Sequence, residues 1–254
     1  MTENNRDDER PEESIEALTE NLGGGSDSRR GFLKKGATAS AAGLGLSAGA
    51  GNVAASGDGD ETTTQAEGQD EVNPVAVLNY ALVLERLEAT FYTRGLEEFS
   101  EDEIESSDIA GNFGETVQSS LYDQLTTIRD HEQSHVDYLV KTIEKLGGDP
   151  VSADQVSFAF PLESPSGFIK TGQTLETTGV SAYDGAINLL KQDNLLTAAA
   201  TVATVEGRHS AYLNGLTGKS PFPRAFDNAK PPAEILPLVA PFVEGDVKEL
   251  LEIV

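Results

Sequence analysis

Glu132-Gln133-Ser134-His135 and Glu206-Gly207-Arg208-His209 decide how this chain is read. The chain has three histidines, His131, His135 and His209. Two of them stand three residues after a glutamate, each inside a stretch with helical periodicity. Residues i and i+3 share a helix face. Each pair therefore aims a carboxylate and an imidazole the same way.

The flanking residues supply the helices. The pattern predicts four helical stretches, over residues 74–97, 113–146, 167–191 and 195–216. Asn73-Pro74 marks the first start; Gly147-Gly148 with Pro150 stops the second, and Gly218 with Pro221 stops the fourth. In steps of three and four, the second stretch runs Leu125, Ile128, Glu132, His135, Leu139 and the fourth Val202, Glu206, His209, Leu213. The third runs Ile169, Gly172, Glu176, Gly179, Tyr183; the first runs Leu78, Ala81, Glu85, Glu88, Tyr92. These are core stripes of amphipathic helices, yet each carries carboxylate or imidazole groups at its middle.

An isolated buried carboxylate costs several kcal/mol. Four converging without compensation would undo a fold whose net stability is only about 5–15 kcal/mol. Two divalent cations balance four carboxylates, and two neutral imidazoles add no charge. Charge balance and ligand type together imply metal. The plain alternative for one Glu-x-x-His is polar pairing on a helix surface; two such pairs on core stripes argue against it. His131 lies off the stripe and reads as a surface residue or one that backs the ligands.

The segments between helices fit a bundle. Residues 98–112 read as an acidic surface loop. Residues 149–166 form a link long enough to cross a bundle, with a short extended piece at 156–160. Glu85 and Glu176 are each followed seven residues on by a tyrosine, Tyr92 and Tyr183, so the two halves repeat as helix hairpins. Residues 220–254 read as a Pro-rich extension packing on the bundle, with a short helix at 247–253.

The chain of 254 residues carries 43 acidic and 18 basic side chains. Phosphate binding needs clustered Lys and Arg, so nucleic acid is excluded as a partner. Such acidity suits solubility in very high salt, where screening removes self-repulsion, and points to a halophilic source. With no cysteine, disulfides, iron–sulfur clusters and thiol nucleophiles are excluded.

Ser28-Arg29-Arg30-Gly31-Phe32-Leu33-Lys34-Lys35 resembles a twin-arginine export motif. The Ala/Gly-rich stretch after it is too weakly apolar to span a membrane, and Val53-Ala54-Ala55 suits cleavage. Residues 1–55 are therefore expected to be an export signal region, and the mature chain an extracellular or cell-surface protein rather than an integral membrane protein. Residues 56–72 read as an acidic disordered linker, and residues 73–219 as the bundle.

The run from Leu78 to Tyr92, with Gly179-Val180-Ser181-Ala182-Tyr183 and Ser220-Pro221-Phe222-Pro223, resembles the ferritin-like superfamily. More narrowly it is similar to exported ferritin-like domain proteins related to plant desiccation-related proteins. The resemblance implies an all-α, ferritin-like four-helix bundle with one long crossover. It implies metal ligands at Glu85, Glu132, His135, Glu176, Glu206 and His209, with Glu88 as the alternative to Glu85. Tyr92 and Tyr183 are candidate catalytic residues beside those ligands, or ordinary core tyrosines. Both Fe and Mn accept this donor set, so the expected cofactors are two Fe or two Mn ions.

The implied function is ferroxidase or peroxide-detoxifying chemistry on small oxidants, dioxygen or peroxide, under oxidative or desiccation stress. The alternative is a non-enzymatic exported stress or envelope protein with a structural or metal-sequestering bundle. A homo-oligomer is compatible with either; the acidic linker, Pro-rich extension and export signal argue against a close-packed storage cage.

Overall fold

The computed structural model describes residues 72–245. The expected signal region, all but Val72 of the linker, and the helix expected at 247–253 lie outside the described residues.

Four long helices form the bundle: α1 (Pro74–Glu98), α4 (Leu121–Lys145), α5 (Pro165–Ala186) and α6 (Asp193–Leu216). The short helices α2 (Glu101–Glu105) and α3 (Glu115–Gln118) join α1 to α4, and α7 (Pro232–Val239) follows the bundle. The Asn73 side chain accepts the Val75 N–H at 3.0 Å and Ser164 accepts the Gly167 N–H at 3.1 Å, so each fills an open donor at a helix start. Gly147 and Gly218, both at φ 76°, end α4 and α6 in the left-handed conformation that glycine adopts without strain.

The bundle consists of two hairpins. α1 packs on α4 and α5 on α6, and the hairpins meet chiefly through α1 and α5. Between them residues 146–164 run down the outside of α1. Asn79 holds Asp149 and Val151, Arg86 Nε donates to the Val151 carbonyl at 3.0 Å, and Arg94 donates to the Phe158 carbonyl at 2.6 Å. Three side chains, each about two turns further along one helix, thus lay the long crossover against the bundle.

Several boundaries differ from expectation. The segment expected as a solvated loop at 98–112 contains α2, and its Ile104 and Ala110 are fully buried. The acidic residues face water, while the two apolar ones close the end of the bundle. The second helix starts at Leu121 rather than 113; the short α3 precedes it, and the Ser120 hydroxyl between them donates to the Thr116 and Val117 carbonyls. The third begins two residues before expectation, with Pro165 in its first turn, and narrows after Ala186 to a 3₁₀ turn over Ile187–Leu189.

Within the described residues the extension carries one helix, α7. Ile235 and Val239 are buried against α5, and the Lys230 N–H donates to the Ser181 carbonyl at 3.0 Å. The strand β1 (Ser157–Phe158) pairs antiparallel with β2 (Val243–Glu244), which ties the crossover to the extension. No helix among the described residues is long and apolar enough to cross a membrane.

Candidate metal centre

The bundle places Glu85, Glu132, Glu176 and Glu206, one per long helix, at its middle with zero exposure. His135 and His209 are buried beside them. The i, i+3 spacing within α4 and α6 brings each histidine inward with its glutamate.

His135 Nδ1 lies 3.1 Å from Glu85 Oε2, 3.2 Å from Glu132 Oε2 and 3.0 Å from Glu206 Oε1. His209 Nδ1 lies 2.8 Å from Glu132 Oε1 and 3.4 Å from Glu176 Oε2. Two foursomes result: Glu85, Glu132, His135 and Glu206, and Glu132, Glu176, Glu206 and His209. Within each, one donor atom per residue lies within 4.8 Å of the others, and Glu132 and Glu206 belong to both.

His135 Nδ1 bonds Glu85 Oε2 and Glu132 Oε2, but other donor atoms of the cluster approach one another without hydrogen-bond geometry. Both Glu206 oxygens, Glu132 Oε1, Glu176 Oε2 and His209 Nδ1 are buried with no hydrogen-bond partner. Orphaned buried oxygens cost roughly 1–3 kcal/mol each, more when charged. Atoms of this kind aimed at one small volume fit a divalent cation, because a cation satisfies several of them at once.

Two tyrosines hold the outer carboxylates. Tyr92 on α1 donates to Glu176 Oε1 at 2.6 Å, and Tyr183 on α5 donates to Glu85 Oε1. Burial, then Glu176, pushes the Tyr92 hydroxyl well above its usual pKa; burial, then Glu85, does the same at Tyr183. Both hydroxyls therefore keep their protons.

The remaining charges compete for protons. Burial and Glu176 raise the Glu132 carboxyl to about 7. Burial, Glu132 and Glu85 push Glu206 well up. At Glu85 burial works upward but is outweighed by the His135 imidazolium, and its pKa is lowered. Burial lowers His209, but the adjacent Glu132 and Glu176 carboxylates outweigh this and hold it at about 10.

The sequence model of the family described as the ferritin-like domain matches residues 73–219. This chain belongs to the ferritin-like family. No curated protein matches it. The all-α ferritin-like bundle is thus its fold, and its buried Glu/His cluster is compatible with a metal-binding site.

Glu88, the alternative ligand, is also buried but belongs to neither foursome of this ferritin-like chain. Burial, then Glu206 and Glu176, pushes its carboxyl well above the usual range. It faces Gly179: a Cβ there would stand 3.0 Å from Glu88 Oε1 and 3.5 Å from Glu206 Oε2. The missing side chain at Gly179 leaves room for a fifth carboxyl.

His131 is exposed, yet its Nδ1 lies 2.9 Å from His209 Nε2, with the rings stacked at 15°. It backs His209 on the side away from Glu132 and Glu176. Burial, then His209 and His135, lowers its pKa, so it suits the neutral acceptor of that bond. Sequence spacing placed His131 off the stripe but carried no signal of this pairing, which depends on how α4 sits against α6.

Proposed function

We propose that Glu85, Glu132, His135, Glu176, Glu206 and His209 hold two Fe or two Mn ions for redox chemistry on a small oxidant, dioxygen or peroxide. One observation carries the reading: orphaned, fully buried oxygens of Glu132, Glu176 and Glu206 converge with His209 Nδ1 in two overlapping foursomes. Glu132 and Glu206, shared by both, would bridge. Glu85 with His135 would complete one position, and Glu176 with His209 the other. Bound as a pair, redox metals supply two electrons to an oxidant.

The chain's own residues set the conditions. Tyr92 and Tyr183 fix the free oxygens of Glu176 and Glu85, and His131 fixes the ring of His209. Leu125, Ile128, Leu139 and Leu213 keep bulk water from the carboxylates. The protons held at Glu132 and His209 in the metal-free protein leave when those atoms ligate.

The Ser28–Lys35 motif supports export by the twin-arginine route, to the cell surface or medium. The net charge of −25 supports a high-salt setting and argues against nucleic acid as a partner. We place the protein on this reading in the response to oxidative or desiccation stress.

Elemental analysis of the chain purified without chelator tests the centre. About two Fe or Mn per chain is expected, falling in Glu206→Ala. No metal after anaerobic loading would sink the reading. Metal held without turnover of Fe(II) or peroxide would leave a sequestering bundle instead.

A further inference from the structure

An apolar pocket of about 30 Å³, partly open to solvent, lies between the helices at the end of the bundle where α1 begins and α4 ends. Ala81, Leu139, Tyr183 and Val202 line it on the side of the metal centre. Ala81 precedes Glu85 by four residues, Leu139 follows His135 by four, and Val202 precedes Glu206 by four. The cavity therefore begins about one helical turn, roughly 5.4 Å, from the ligand layer. The Tyr183 ring forms part of its wall while the Tyr183 hydroxyl bonds Glu85. On the other side of the centre the bundle is filled, with Tyr92 edge-packed on Phe91 at 5.2 Å and on Phe168 at 6.0 Å.

The wall of the void is almost wholly carbon. The hydroxyls of Tyr80, Tyr138 and Thr142 are buried nearby without partners, but present almost no surface to it. A water needs about 10–15 Å³ and two or more polar partners to settle in such a space, and apolar cavities otherwise stay dry. Hydrogen peroxide, with two hydroxyls, meets the same obstacle. Dioxygen is small and apolar, and leaves no hydrogen bond unmade.

We propose that this cavity is a docking site for dioxygen, which reaches the centre past Tyr183. The proposal rests on the redox reading above and selects dioxygen over peroxide as the oxidant. The balance is closed: two Fe(II) substrate ions become two Fe(III), and one dioxygen takes the two electrons and two protons and leaves as hydrogen peroxide.

Crystals of the metal-free protein under xenon pressure test the site directly. Xenon in the cavity is expected, and its loss in Ala198→Leu, which fills the void from α6. An ordered water in place of xenon overturns the proposal. In metal-loaded protein, Ala198→Leu should slow Fe(II) oxidation by dioxygen about tenfold and leave oxidation by peroxide unchanged. Xenon pressure on the wild-type protein should do the same, which keeps the test open should the variant not fold. Equal slowing with both oxidants overturns the proposal. Xenon bound, with Fe(II) oxidised by neither oxidant, sinks the redox reading and the dioxygen role with it. Fe(II) oxidised normally, with water in the cavity, sinks the dioxygen site alone.

Discussion

Tyr92 on α1 bonds Glu176 on α5, and Tyr183 on α5 returns the bond to Glu85 on α1. Each tyrosine stands seven residues after its own helix's glutamate and serves the other helix's. The two hairpins are therefore cross-tied through the carboxylates themselves. Losing one tie leaves a buried carboxylate oxygen without its donor.

Tyr92→Phe should destabilise the metal-free protein by about 1.5–3 kcal/mol, the range for hydrogen bonds to charged groups. Metal affinity should fall about 10- to 100-fold. Urea unfolding and metal competition measure the two effects. Tyr183→Phe should match it in both, because the ties are related by the pseudo-twofold; a one-sided result would deny that symmetry.

Glu88→Gln should leave the metal content unchanged and raise the stability of the metal-free protein near pH 7. The Glu88 carboxyl has its folded pKa well above its unfolded one. Its contribution to stability is thus present below about pH 4.5 and is lost as pH rises. Glutamine keeps the shape and removes that loss. Loss of metal in Glu88→Gln would instead make Glu88 a ligand.

The metal-free protein should lose stability as pH rises. Glu132, at about 7, and His209, at about 10, both hold protons more tightly folded than unfolded. The Glu132 contribution fades from about pH 4.5 to 7 and the His209 contribution from about pH 6.5 to 10. Glu85, with its lowered pKa, acts in the opposite sense and only as pH falls below about 4.5. Metal displaces the protons on Glu132 and His209, so affinity should rise with pH and the loaded protein should lose the slope. Urea midpoints at about pH 5, 7 and 9, with and without Mn(II), check both signs.

His131→Ala should lower metal affinity about tenfold or more, with His131→Gln between it and the wild type. The fold should survive, since His131 is exposed. Calorimetric titration reads the affinity and circular dichroism the fold. An unchanged affinity would mean that the 2.9 Å contact with His209 does not orient the ring.

Ile104→Ala should cost about 2–5 kcal/mol, as a fully buried isoleucine truncated to alanine does. A solvated loop would lose almost nothing. Thermal unfolding in high salt separates the two outcomes.

The ladder of Leu125, Ile128, Glu132, His135 and Leu139 is legible in the sequence because helical period and burial coincide along it. The same holds for α6, and the two ladders together make the ligand types readable from spacing alone. Residues 98–112 mislead because composition is averaged over a segment. Glu98, Glu101, Asp102, Glu103 and Glu105 dominate the reading there, while Phe99, Ile104, Ile109 and Ala110 do the packing. The extension misleads in the same way: Ile235 and Val239 outweigh a Pro-rich composition once α5 offers them a face.

The sequence by itself determined four helices with buried carboxylates, because a period of 3.6 residues aligns side chains along one helix without reference to the others. It also determined that those carboxylates needed compensation, since charge balance is a count. Only the tertiary structure decided which atoms share a point in space. That Glu132 and Glu206 join both foursomes while Glu88 joins neither follows from the rotation of α4, α6 and α1 about their axes, and no spacing within one helix records that rotation. The tyrosine cross-ties, the His131–His209 pair and the apolar cavity beside Tyr183 arise from the same cause: each is a contact between helices, set by how their surfaces pack.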